Sequence, residues 1–150
     1  VEQAIRKHID RTVHMSLGTA TPNGKPWVCE VHFAYDDKLN IYFVSKLTTR
    51  HCQEIVVNPN IAGNIVKQHP LEESPHGVYF EGTAKAIEPS DEQLELYCSR
   101  LSRNKEELVE QLTEKDGRRM YKINVSNWAI FGKFGLETNQ KHELAWSNND

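Results

Sequence analysis

From Val13 onward the hydrophobic positions recur every second residue, with Val13, Met15, Leu17 and Thr19 alternating against His14, Ser16, Gly18 and Ala20. A period of two sends the two sets to opposite faces of an extended chain, so the segment predicts a β-strand. Pro22-Asn23-Gly24-Lys25 supplies the turn of a hairpin, and the chain returns as a second strand over 27–35. There Cys29, Val31, Phe33 and Tyr35 share one face, and Glu30, His32 and Ala34 the other. Asp36-Asp37-Lys38 turns the chain into a third strand, Leu39 to Ser45. Upstream, Ala4, Ile5, His8 and Ile9 fall at helical spacing, which predicts a short amphipathic helix over 2–11.

After the third strand the period lengthens. Thr48 and Thr49 are N-cap candidates for a helix over 49–57 with an apolar stripe of Cys52, Ile55 and Val56, ended by Asn58-Pro59. A fourth strand is expected over 60–68, a His/Pro/Glu loop over 69–76, and a long fifth strand over 77–88 with Val78, Phe80, Ala84 and Ala86 in alternation. Gly82 inside that strand suggests a bulge or tight bend. Pro89-Ser90-Asp91-Glu92-Gln93 reads as a capping-box start to a helix lined by Leu94, Tyr97, Cys98 and Leu101, and a second short helix follows over 104–114. Tyr121, Ile123 and Val125 mark a sixth strand, and Trp128, Ile130 and Phe131 a seventh over 128–134. From about 137 the chain is polar and is expected to fray.

Strands outnumber helices and no repeat or linker interrupts them. The pattern therefore predicts one mainly β domain over 1–150, an antiparallel barrel of six to seven strands with helices at its corners. The 38% hydrophobic content of 150 residues suffices for such a core without staples. Lys and Arg total 18 against 21 Asp and Glu, so the overall field favours neither nucleic acid nor an anionic membrane as partner. No apolar run is long enough to span a bilayer and no signal peptide is recognisable, which makes the cytoplasm the expected location. Cys29, Cys52 and Cys98 are widely spaced, and neither a disulfide framework nor a cysteine zinc site is expected from them.

The succession Asn23-Gly24-Lys25-Pro26, Tyr35-Asp36-Asp37, Ile41-Tyr42-Phe43-Val44-Ser45, Thr48-Thr49-Arg50-His51 and Asn58-Pro59, followed by Gly77-Val78-Tyr79-Phe80-Glu81-Gly82-Thr83-Ala84, resembles the pyridoxamine 5′-phosphate oxidase-like family. The resemblance covers roughly residues 13–88. It implies a split β-barrel homodimer that holds flavin mononucleotide (FMN) at the subunit interface. It further implies that Glu30, Val31, His32 and Phe33 run beside the flavin ring, and that Val44, Ser45 and Lys46 lie near the ribityl chain and phosphate. The phosphate falls to Thr49-Arg50-His51, where the family usually has Lys in place of His51. Elementary electrostatics favours the same place, because a helix amino terminus offers unpaired N–H groups and Arg50 adds a charged donor. His51, when neutral, adds one donor and no charge.

Each of these residues also has a plainer reading. Taken alone, Thr49-Arg50-His51 is an N-capped helix start with two solvated side chains. Glu30-x-His32 lacks a third ligand at a known spacing, so no metal site is expected. Trp27, Trp128 and Trp146 are more simply core or dimer contacts, although Trp128 is retained as a candidate wall of the cofactor site. Lys133 is retained as a candidate anion contact from the partner subunit, against the plainer reading of a solvated edge lysine. No residue stands out as an obligatory acid or base, leaving the redox substrate and the catalytic residues open. Three functions follow: an FMN-dependent oxidoreductase; a haem- or deazaflavin-binding relative; and a dimeric module without cofactor chemistry.

Overall fold

The computed structural model describes residues 1–73, 76–113, 117–132 and 141–147. Helix α1 (Glu2–Ile9) leads into strands β1 (His14–Ala20), β2 (Pro26–His32), β3 (Ala34–Tyr35) and β4 (Ile41–Lys46). Helix α2 (Arg50–Val57), strands β5 (Asn60–Ile65) and β6 (Gly77–Ile87), and helices α3 (Asp91–Leu101) and α4 (Lys105–Leu112) follow. Strands β7 (Arg118–Phe131) and β8 (His142–Ala145) complete the sheet. Its order is β2-β1-β5-β6-β7-β4-β3, with β8 added to β7. Every pairing is antiparallel.

The curled sheet encloses one apolar core. Ile5 and Ile9 of α1, Met15 and Leu17 of β1, Ile41 and Phe43 of β4, and Tyr121, Ile123 and Val125 of β7 meet there. A second cluster lies outside the barrel, where Leu94, Tyr97 and Cys98 of α3 and Leu108 of α4 cover Ala34, Tyr42 and Met120. Strand β4 is therefore covered on both faces, consistent with its unbroken apolar run. At the first hairpin Gly24 adopts φ +89°, a conformation glycine reaches without strain. Ser90 and Gln93 form the capping box of α3 as anticipated.

Four expectations need correction. The strand read over 27–35 is two strands, because at the fully buried Phe33 the chain leaves β1 and pairs with β4. The sixth and seventh strands are one, β7, which pairs first with β4 and later with β8. Between Val125 and Trp128 lies a β-bulge: Glu81 faces Asn127 and Gly82 faces Val125, so Ser126 is the extra residue. Its hydroxyl donates to the Glu81 carbonyl at 3.2 Å, satisfying an acceptor at the irregularity. The polar tail contains β8, anchored where Trp146 donates its backbone N–H to Ser126 and its indole N–H to the Lys38 carbonyl. Finally, Val56 is 76% exposed, and the buried face of α2 carries His51 and Glu54 beside Cys52 and Ile55.

Candidate functional site

The turn between β4 and α2 is built by Thr49. Its hydroxyl donates to the Lys46 carbonyl at 2.8 Å and accepts from the Cys52 N–H at 3.4 Å, which fixes the start of the helix. The amino end of α2 thus opens beside Lys46, with Arg50 at its first position. Arg50 is not simply solvated. Its Nε donates to Glu54 at 3.0 Å and its guanidinium lies 4.2 Å from the centre of the Trp27 ring. Glu54 also accepts from the Thr19 hydroxyl at 2.9 Å, tying α2 to the first hairpin. Those donors, Arg50 foremost, hold its carboxyl below the usual carboxylate range. Arg50 retains 40% side-chain exposure and so remains accessible to an anion.

His51 turns the other way. It is buried, with Nε2 2.9 Å from the Ser45 hydroxyl and its ring against Phe43. Burial lowers its pKa despite the nearby Glu54, so at neutral pH it is an uncharged structural partner of Ser45. Across the ladder Ser45 faces Arg119 and Lys46 faces Arg118. Neither arginine was singled out in the sequence, since nothing in the pattern fixes which residues of β7 oppose the end of β4. The Nε of Arg118 is buried without an acceptor among the described residues.

The other expected site residues divide between faces as strand alternation requires. Glu30 and His32 point outward from β2, whereas Val31 and Phe33 belong to the core. Glu30 accepts from Ser16, and His32 meets His14 across the hairpin. Val44 packs toward α3 and α4. Trp128 is fully buried beside Phe80 in the core, and its indole N–H lacks an acceptor among the described residues. Lys133 lies outside the described residues. A single chain therefore brings Ser45, Lys46, Thr49, Arg50 and His51 together and leaves Glu30 and His32 on a separate surface.

That second surface continues across the sheet as a cleft of about 600 Å³. Ala62, Tyr79, Glu81, Asn127, Ala129 and Phe131 line it, with Lys141 and Glu143 at one side. Tyr79 and Phe131 are exposed, as is Val28 farther along the same face.

Residues 1–131 match the sequence profile of the pyridoxamine 5′-phosphate oxidase family, most of the chain. The chain belongs to this family. A UPF0306 protein of Photorhabdus laumondii is 28% identical over 101 residues, 65% of this chain and 70% of that protein. Among solved structures, ChuZ of Campylobacter jejuni superposes with a TM-score of 0.76 at 14% identity, covering 96% of this chain and 58% of its own. A heme binding protein from Mycobacterium smegmatis gives 0.73 at 16% identity, covering 95% and 56%. HutZ, the heme storage protein from Vibrio cholerae, gives 0.67 at 13% identity, covering 97% and 94%. The chain spans little more than half of the first two of these structures. At such identities the structural likeness establishes the split-barrel fold. The fold is thus that of the family, while the chemistry must be argued from the residues.

Proposed function

We propose that this member of the pyridoxamine 5′-phosphate oxidase family binds FMN as a homodimer and acts as an oxidoreductase. The observation that carries the reading is the β4–α2 junction, where Thr49, bonded to the Lys46 carbonyl, caps a helix that opens with Arg50. An anion there meets N–H groups with no intrahelical acceptor, the positive end of the helix dipole and the Arg50 cation, with Lys46 the candidate second one. The donor set fits a phosphate with one exception. His51 is committed to Ser45, so the third member of the expected triplet braces the turn from beneath and adds no charge. Arg119, opposite Ser45, is a candidate second-strand cation for the same anion.

When bound, flavin supplies the electron-transfer chemistry, and the protein supplies position and electrostatics. Lys46 and Arg50 neutralise the phosphate. Glu30 and His32, on the outer face of β2, and the Tyr79–Phe131 cleft are the surfaces available to a planar ring, and a second copy would bring the two kinds of surface together. The exposed Val28, Tyr79 and Phe131 favour such a cover.

Haem is the second reading. It is favoured by the two structural neighbours named for haem, and by Tyr79, which lines the cleft of about 600 Å³ and belongs to a residue type that ligates haem iron.

The test is a titration of cofactor-free protein with FMN and, separately, with haem, followed by absorbance, flavin fluorescence and melting temperature. FMN should bind saturably, and Arg50→Ala should weaken it by roughly 1.5–3 kcal/mol, the scale of a charged hydrogen bond. Equal FMN affinity in the two proteins would sink the phosphate assignment. A Soret band with no flavin binding would transfer the proposal to haem.

A further inference from the structure

The hairpin β1–β2 sets His32, which the flavin reading places beside a planar ring, against a second histidine that reading does not use. His14 and His32 are directly opposite each other in the ladder, His14 at the start of β1 and His32 at the end of β2. Both side chains rise from the outer sheet face and are exposed. Their Nε2 atoms lie 2.8 Å apart. The ring centres are 4.5 Å apart with planes inclined at 44°. That is closer than an end-to-end approach of two imidazoles allows, so the two rings do not both point along the line joining their Nε2 atoms. Without a metal the contact requires one ring to donate its Nε2–H and the other to accept.

We propose that His14 and His32 form a two-imidazole chelate for a divalent transition metal, with copper(II) the preferred ion. Two nitrogens bound at about 2.0 Å stand about 2.8 Å apart when they are cis in a square-planar site, against about 3.3 Å in a tetrahedral one. The observed spacing therefore matches tetragonal coordination with little movement, and copper(II) heads the affinity order of the first-row divalent ions. Backbone pairing from Ala20↔Pro26 to His14↔His32 fixes the register, so the two ligands are presented together without a loop having to order. Among the described residues no group of three or more His, Cys, Asp or Glu is placed to hold a metal. The remaining equatorial positions therefore go to water or to an exogenous ligand, and the site is open. The sequence could not reveal it, since 17 residues separate the two histidines and only the hairpin register brings them opposite.

The test uses the full chain, freed of metal, flavin and haem, titrated with copper(II) buffered by glycine and followed by calorimetry and electron paramagnetic resonance. We expect one principal copper(II) per chain with an axial spectrum and two coordinated imidazole nitrogens. His14→Ala and His32→Ala should each weaken binding at least about tenfold and reduce the imidazole count to one. His69→Ala should leave both quantities unchanged. Both ligand substitutions are at exposed positions, and unchanged melting temperatures without metal would confirm that the fold is intact. Unaltered copper affinity in both ligand variants, or a signal with fewer than two imidazoles in the unsubstituted protein, would overturn the assignment. Because no flavin is present, the result stands apart from the fate of the FMN proposal.

Discussion

Gly82 offers a sharp test of how the bulge is built. A methyl group added there would stand 2.2 Å from the Asn124 carbonyl oxygen, 2.9 Å from the Val125 Cα and 3.0 Å from the Asn124 carbonyl carbon. All three are backbone atoms of β7, and none can rotate away. Even a favourable carbon–oxygen contact runs about 3.3–3.6 Å, so β6 and β7 must part by about 1 Å. Overpacking of this kind costs about 1–3 kcal/mol, and each weakened ladder bond adds up to about 1 kcal/mol. Alanine's smaller unfolded-state entropy returns less than about 1 kcal/mol. Gly82→Ala should therefore lose about 3 kcal/mol, a large share of a stability expected to lie at about 5–15 kcal/mol. In urea unfolding followed by tryptophan fluorescence, with a slope near 2 kcal/mol per molar, the midpoint falls by about 1.5 M. Thr83→Ala, at the exposed neighbour, should stay within about 0.5 kcal/mol. A midpoint for Gly82→Ala within 0.3 M of the parent, an order-of-magnitude margin on the same slope, would refute the claim that backbone contact between β6 and β7 excludes a side chain here.

Two further outcomes follow from α2 and α1. The pKa values of His51 and His8 are both lowered, chiefly by burial, from an ordinary 6.5, so the unfolded chain takes up protons before the folded one does. Stability is then full above about pH 6.5 and declines as pH falls toward the folded-state values, by up to about 1.4 kcal/mol per pH unit for each imidazole. Urea midpoints between pH 5 and 7.5 should show that decline, and His51→Gln should make it shallower; an equal slope in the variant would remove His51 from the account. Glu54→Gln keeps the hydrogen-bond shape around Arg50 while removing a negative charge, and FMN affinity should rise about twofold to fivefold at low salt. No change would place the phosphate away from Arg50.

Much of the barrel was legible because period two survives wherever one face of a strand is buried. Met15, Leu17 and Thr19 announced β1, and Ser90 with Gln93 announced α3. What was not legible depended on partners. The slip between Val125 and Trp128 looks the same in sequence whether a strand ends or bulges, and only the pairing with Gly82 decides it. Strand β8 is short and half polar, and its formation rests on docking Leu144 and Trp146 against the barrel. Likewise the apolar stripe assigned to α2 took Val56 for a buried position. The carboxylate of Glu54 fills the inward place because Thr19 and Arg50 satisfy it there, and propensity rules carry no information about such a pair.

The candidate site divides for the same reason. A contiguous segment such as 30–33 cannot line one wall, because alternation gives Glu30 and His32 to the outside and Val31 and Phe33 to the core. A helix start behaves differently. Thr49 bonds back to the Lys46 carbonyl and Arg50 follows it at the first helical position, so a candidate anion contact at a helix start can be read from a short triplet, whereas one along a strand cannot. His51 shows how far the triplet can be trusted: its place in the chain suggests a phosphate ligand, but the first turn of α2 aims it at Ser45 and the barrel interior. Loss of a charged third donor is compatible with phosphate binding only if another cation replaces it. The register of β4 with β7 sets Arg119 opposite Ser45, on the face His51 shares, and Arg118 opposite Lys46 on the other face. On the proposed reading, Arg50 is the single cation among residues 49–51, and Arg119, opposite Ser45 in the ladder, is the candidate that would restore the charge His51 does not supply.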